Sequence, residues 1–241
     1  VSILMLAHNA PRYVERSIRT LVRYTRNVNY ELVVVDNASD RPTTDCLKRL
    51  QSEGHIQHLT MLGYNSFFAG GNNIAARHAA TDCSHLLLLN SDVEIRHPNW
   101  LSNLLAVHKP GITAYGVAEG HPLRVDGYCL LVDAPLYREH WLDENHQFHW
   151  AVTKFQAALL AKGLSVQGYL QHEDYLHHFG GKSGKDFKSA KGLVVTPKEL
   201  ADLFHGRTVR VLDATPDGTL PPRPRRTLIE RGMARFEQLF S

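Results

Sequence analysis

Short, wholly apolar runs alternate with amphipathic ones along the first half of the chain. Residues 1–7, VSILMLA, read as a buried strand. Pro11 suits the first turn of a helix, and Val14, Ile18, Leu21 and Val22 continue it at helical spacing. ELVVVD, ending at Asp36, is a second strand, continuous in its apolar residues like a parallel strand covered on both faces. A helix over about 43–52, a strand over 58–62, a helix over 71–80 and the apolar run HLLLLN ending at Asn90 follow. The order β-α-β-α-β-α-β predicts an α/β fold with a mixed, mostly parallel sheet flanked by helices.

The second half is less regular. It predicts a helix over 98–108, strands over 112–117 and 128–132, a helix over 150–162 and a strand over 165–170. A His- and Gly-rich loop, QHEDYLHHFGGKSG, comes next, followed by a helix over 197–205. PDGTLPPRPRR reads as a linker or extended arm, and TLIERGMARFEQLF as a short amphipathic helix.

Composition narrows the class. At 241 residues and 43% apolar, the chain can build a sizeable core. Its net charge of +3 suits a phosphate-bearing ligand or an anionic surface without demanding either. Three scattered cysteines, Cys46, Cys83 and Cys129, imply neither a disulfide framework nor a C-x-x-C metal site, and point to a reducing, cytoplasmic setting. No apolar run approaches the roughly 18 residues of a membrane-spanning helix, and no signal peptide is evident. The opening on an apolar strand without Met is expected of a processed or truncated chain, or of one domain of a larger protein.

In open α/β sheets ligands gather at the carboxyl ends of the strands. Three polar clusters fall there: His8-Asn9, Asp36-Asn37 and Asn90-Ser91-Asp92. Asp36 could accept a hydrogen bond from a base N–H or a ribose hydroxyl, or could simply cap a helix. In NSFFAGGNN, Gly70 and Gly71 would let the backbone approach a phosphate at a helix start, or merely form a turn. Asp92, at the end of LLLLNSD, offers a hard oxygen ligand of the kind Mg²⁺ or Mn²⁺ prefers, completed by phosphate oxygens and water. The loop after Tyr169 gathers His172, Glu173, Asp174, His177 and His178, where an imidazole could join a metal and Gly180-Gly181 could fold over a diphosphate.

Together these segments resemble the family 2 glycosyltransferases of GT-A fold, especially their bacterial rhamnosyltransferase-like branch. Ala7-His8-Asn9 matches the family's T-Y-N-like turn, and VVDNASD its V-D-N-x-S-x-D. NSFFAGGNN matches N-x-G-F-x-x-G-N-N, with Phe67 replacing a usual Gly, and LLLNSDVEI followed by Pro98, Trp100 and Leu101 matches L-L-N-x-D and P-x-W-L. The resemblance implies that Asp36 and Asn37 bind the nucleotide, that Ala7, His8 and Asn9 line base and ribose, and that Asn72, Asn73, Asn90 and Ser91 lie nearby. Asp92 would be the surviving carboxylate of the metal motif, with His177 or His178 completing the shell of Mn²⁺ or Mg²⁺. Residues 1–205 would form the GT-A domain, with 1–110 the nucleotide-sugar half and 111–205 an irregular acceptor-side half. Residues 206–241 would form an arm and short helix.

One departure concerns the chemistry. Where the family carries E-D-x-D at a helix start, this chain has Ala151, Val152 and Lys154. The base must then come from elsewhere, with Asp126 and Asp143 placed ahead of Glu144, His149, Glu173 and Asp174. The expected reaction is metal-dependent transfer of a hexose or deoxyhexose from a UDP- or dTDP-sugar to a glycan or lipid-linked hydroxyl, with inversion implied by the family. The missing acidic residues leave open a catalytically silent nucleotide-sugar-binding module. A nucleotidyltransferase fits worse, since HNAPRYVERS lacks the Gly-rich basic signature of that class near the first strand. The arginines Arg223, Arg225, Arg226, Arg231 and Arg235 suggest peripheral contact with the inner face of a membrane through the C-terminal arm.

Overall fold

The computed structural model describes residues 1–118, 120, 122–182 and 186–212. The Arg223–Arg235 arm and its short helix lie outside the described residues. The first half runs β1 (Ser2–Ala7), α1 (Pro11–Tyr24), β2 (Glu31–Asp36), α2 (Arg41–Ser52), β3 (His58–Met61), α3 (Phe67–His78), β4 (His85–Leu89), β5 (Val93–Ile95) and α4 (Trp100–Val107). The second half runs β6 (Gly111–Tyr115), β7 (Val117–Ala118), β8 (Arg124–Val125), β9 (Cys129–Asp133), α5 (Ala134–Glu139), α6 (His149–Ala161), β10 (Ser165–Tyr169), β11 (Leu176–His178), α7 (Pro197–Phe204) and β12 (Arg210–Leu212).

Eight strands form one sheet in the order β12-β10-β6-β9-β4-β1-β2-β3. All neighbours are parallel except around β9, which runs antiparallel to both β4 and β6. Because side chains alternate across a strand, the sheet feeds two cores. Ile3, Met5, Leu32, Val34 and Leu87 pack on one face with Val14, Ile18 and Leu21 of α1, Leu47 of α2 and Trp100 of α4. Leu4, Val33, Val35, Leu86 and Leu130 pack on the other with Ala69 and Ala75 of α3, Tyr137 of α5 and Phe155 of α6. This is a three-layer sandwich, and its doubly covered central strands explain the unbroken apolar runs.

The structure adds the short strands β5, β8 and β11, which the sequence pattern does not predict, and departs from it elsewhere. Helix α3 begins at Phe67, not Gly71, so the two glycines sit inside the helix. A Cβ on Gly71 would come within 2.2 Å of Leu6 Cδ1. The glycine is there to let α3 lie directly on β1. Residues 210–212, expected in an arm, return to the sheet as the edge strand beside β10. The six-residue α5, missed in the pattern, is too short to show helical periodicity. None of the described helices is long and apolar enough to cross a membrane.

Candidate donor and acceptor sites

The loops after β1, β2 and β4 meet at one end of the sheet. His8 Nδ1 lies 2.8 Å from the Asn37 carbonyl. Asn9 ties the first two loops together, donating its N–H to Ser39 Oγ at 2.8 Å and accepting from Asp40 N–H at 2.9 Å. Asn37 crosses to the next loop: its Oδ1 accepts from Ser66 N–H at 2.7 Å, and its Nδ2 donates to Asn65 Oδ1 at 2.7 Å. Asp36 is buried, and its Oδ1 has no hydrogen-bond partner. A buried unpaired acceptor costs about 1–3 kcal/mol; Asp36 Oδ2 accepts from Ser39 N–H at 3.2 Å, and the residue lies behind Asn37 without lining either cavity described in this section.

His8, Asn37, Phe67, Asn90, Asp92 and His178 line a cavity of about 410 Å³ at this end of the sheet. The β5–β11 hairpin carries the histidines into it. In the antiparallel register His177 faces Glu94 and His178 faces Val93, so the two imidazoles point to opposite sides. His178 Nε2 comes to 3.2 Å from Asp92 Oδ1, and its ring stacks on Tyr128 with centroids 4.2 Å apart. Tyr128 in turn is held by His172, whose Nε2 lies 2.5 Å from the phenolic oxygen. His177 instead packs its ring against Phe179. Of the two histidines expected at the metal, His178 alone reaches Asp92. A carboxylate and an imidazole this close are a donor set that fits one divalent ion.

Several expected nucleotide contacts are structural. Ala7 is fully buried in the core, and its carbonyl accepts from Asn37 N–H at 2.8 Å. Asn73 is saturated: it donates to Leu142 O and Glu144 Oε1 and accepts from Tyr137 OH and Leu142 N–H. It anchors the 142–144 segment to α3 and has no capacity left for a ligand. Asn72 is buried and donates back to Phe68 O within α3. The start of α3 is also not open to phosphate, since Ser66, Phe67 and Ala69 N–H groups already go to Asn37, Asn65 and the Gln147 carbonyl. Ser91 is buried in the turn before Asp92 and lines neither cavity described in this section.

A second cavity of about 340 Å³ adjoins the first and shares Phe68, Asn90, Phe148 and His178 with it. Asp126 and His149 line it. Both volumes lie in the usual range for small-ligand clefts, about 300–1,000 Å³. Gln156 of α6 fixes the backbone just before Asp126, accepting from Val125 N–H at 2.9 Å and donating to Val125 O at 3.2 Å. Asp126 N–H itself bonds Gly116 O at 3.0 Å. Burial raises the Asp126 pKa above the usual carboxylate value, against the opposing pull of His178 and Arg124. Burial, with Arg124 nearby, lowers that of His149.

Asp143 has a different setting. Burial raises its pKa, but bonds from Lys154, Asn145 N–H and His146 outweigh this and pull it down to about 2. It lines neither of the two adjoining cavities. It is an ion-pair anchor for Lys154, which removes it as a base. Glu173 and Asp174 are exposed and line neither cavity, and Glu144 is engaged by Asn73. Val152 lines the second cavity where the resemblance expects a carboxylate, and a Cβ on Gly127 would meet its Cγ2 at 2.9 Å. Asp126 therefore stands beside the vacated position, carried by another element.

Phe67, Phe68, Phe148 and Asn65 line the larger cavity, although none was named as a site residue from the sequence. Phe67 left one signal, replacing a Gly in the motif. It adopts φ 56°, a left-handed conformation that costs a non-Gly residue roughly 1–2 kcal/mol.

Residues 2–118 match the family model described as Glycosyl transferase family 2. They form a glycosyl transferase family 2 domain. O-antigen biosynthesis protein RfbC of Myxococcus xanthus is 30% identical over 117 residues, 48% of this chain and 9% of that protein. Staphylococcus aureus TarS 1–349, solved with UDP-GlcNAc, superposes with a TM-score of 0.57 at 14% identity, covering 84% of this chain and 63% of that one. The mannosyltransferase PcManGT from Pyrobaculum calidifontis, solved with GDP-Man and Mn²⁺, gives 0.53 at 16% identity, covering 65% and 51%. The chain thus spans a small part of its curated relative and half to two thirds of these solved chains. The structural likenesses show that the chain has the GT-A fold, a mixed, mostly parallel sheet flanked by helices.

Proposed function

We propose that the chain moves a sugar from a nucleoside diphosphate-sugar to an acceptor hydroxyl, with the donor in the larger cavity and the acceptor in the adjoining one. The observation that carries this reading is the Asp92–His178 pair, 3.2 Å apart where the two cavities share His178. Solved relatives of the same fold hold UDP-GlcNAc or GDP-Man with Mn²⁺, which supports a nucleotide-sugar here. The likeness to an O-antigen biosynthesis protein supports a glycan or lipid-linked glycan acceptor. The transferred group in this reading is a hexose or deoxyhexose.

Asp36 offers its unpaired Oδ1 to a base N–H, and His8 and Asn37 border the nucleotide. Asp92 and His178 would hold Mn²⁺ or Mg²⁺, which when bound offsets charge on the leaving diphosphate. Tyr128 keeps the His178 ring in place by stacking. Asp126 takes the acceptor proton. Its raised pKa makes it a better proton acceptor than an ordinary carboxylate, and it lines the smaller cavity but not the larger, which supports this role. Sugar transfer would then proceed with inversion, the attacking hydroxyl and the leaving diphosphate lying on opposite sides of the sugar.

The test is transfer from a panel of UDP-, dTDP- and GDP-sugars with Mn²⁺, comparing the native chain with Asp126→Asn. Loss of transfer with unchanged nucleotide binding is expected. Donor binding without transfer to any glycan acceptor by the native chain would favour a binding module instead.

A further inference from the structure

The end of the sheet opposite the donor site carries chemistry that sugar transfer does not use. Strand β4 enters at His85, and β9, running the other way, leaves at Asp133. The two residues are partners across the ladder, so their side chains rise on one face. His108, from the turn between α4 and β6, joins them. Its Nε2 lies 3.2 Å from Asp133 Oδ2, and its ring stands edge-on to His85 with centroids 5.0 Å apart. One ligand atom from each residue lies within 4.8 Å of the others, and among the described residues no other such trio occurs. The length of β4 separates it from the Asp92 turn by roughly 16 Å.

A buried polar layer stands behind the trio. His108 Nδ1 is 2.9 Å from Thr113 Oγ1, which also accepts from Gln167 Nε2 at 3.2 Å. Gln167 donates in addition to Val107 O at 2.7 Å. Thr113 and Gln167 are essentially inaccessible to solvent, within a sheet otherwise filled by apolar side chains. Proteins orient a metal-bound imidazole by holding its other ring nitrogen in a hydrogen bond, the part that Thr113 can play for His108 Nδ1. Asp133 Oδ2 is further fixed by Gly111 N–H at 2.7 Å, leaving Oδ1 for an ion. His85 Nδ1 lies 2.8 Å from Ser84 Oγ, leaving its Nε2.

We propose that His85, His108 and Asp133 bind a divalent cation of the Zn²⁺ type, with water as fourth ligand, at a site separate from the donor metal. Two imidazoles to one carboxylate favour Zn²⁺, whereas Mg²⁺ and Mn²⁺ prefer oxygen-rich shells. The ion takes the place of the His108–Asp133 hydrogen bond, and His108 Nδ1–H then donates to Thr113. It clamps β4, β9 and the α4–β6 turn, and because it binds only the folded chain it stabilises the fold by mass action.

The experiment uses the whole chain, stripped with chelator and dialysed against Zn²⁺ without nucleotide. Bound metal is counted by mass spectrometry and melting is followed in parallel. The native chain should hold one more Zn²⁺ than His85→Gln or His108→Gln, and its rise in melting temperature should vanish in both. Asp92→Asn should keep both effects. In the Co²⁺-loaded native chain the intense visible absorption of a tetrahedral site is expected, and His85→Gln should lack it. His85 lies nearer the surface than His108, so His85→Gln decides if His108→Gln does not fold. Equal Zn²⁺ in the native chain and His85→Gln, or loss of Zn²⁺ in Asp92→Asn alone, overturns the proposal.

Discussion

The two adjoining cavities share a wall but are built by different rules. The larger one, proposed for the donor, is made where neighbouring strands end, at His8, Asn37, Asn90 and Asp92, each one to three residues beyond an apolar run. The smaller one, proposed for the acceptor, is made where distant segments touch. Phe68 comes from α3, Asp126 from the turn after β8, and His149 and Val152 from α6. The fold itself makes the first kind of site, since strand ends converge in any such sheet. The second depends on individual packing contacts, and Val152 and Asp126 reach it from different elements.

The sharpest way to break this comparison is Asp92→Ala. Transfer should be lost, and UDP binding should become insensitive to chelator, as read by calorimetry with and without Mn²⁺. Retained transfer would detach the metal from the donor side. Next comes Asp126→Asn, which should cut turnover by roughly 10²–10⁴-fold, the usual worth of a general base, with the Kd for UDP unchanged.

The pH profile sharpens the same point. Asp126 must be ionised to accept a proton, so transfer is full above its pKa and fades as pH falls through it. Burial raises that pKa, so the acidic limb should lie at higher pH than an ordinary carboxylate gives. The residual rate of Asp126→Asn should lack that limb. A native limb at the pH of an unperturbed carboxylate would count against Asp126.

Asn73→Ala separates scaffold from site. It leaves Leu142 and Tyr137 with unpaired polar groups, so denaturant unfolding should show a loss of about 2 kcal/mol, with UDP affinity intact in the folded fraction. The smallest effect is expected of Phe67→Gly. Relief of the left-handed backbone, roughly 1–2 kcal/mol, is offset by the greater freedom of Gly in the unfolded chain, about 1 kcal/mol. The midpoint of unfolding should hardly move. A large drop would mean that the Phe67 ring holds the cavity wall together.

The same contrast decides what the sequence could convey. The strands β1, β2 and β4 and their polar ends were legible because doubly covered strands leave unbroken apolar runs. Asn72 and Asn73 looked like ligand contacts because an Asn that bonds within its helix, or ties a loop to it, looks in sequence like one that binds a ligand. Gly70 and Gly71 suggested a phosphate cradle, although close helix–sheet contact needs the same residue. The choice between His177 and His178 needed the register of β5 with β11, which no local pattern fixes. Asp126 stood out beside Asp143 only once Lys154 and His146 were seen to occupy the latter.

Leu6 and Gly71 meet where α3 crosses β1, with no room for a single methyl group. The start of that helix carries Phe67 and Phe68 into the cavity walls. Residue 71 therefore acts on the cavity through its neighbours: bulk added there must push aside the Leu6 side chain, itself part of the cavity wall, or lift the helix and its first turn. A substitution at 71 would register in an assay as altered donor selectivity, although the residue never meets the donor. In a screen for new sugar preference, this hidden position beneath the floor could emerge beside those that line the walls.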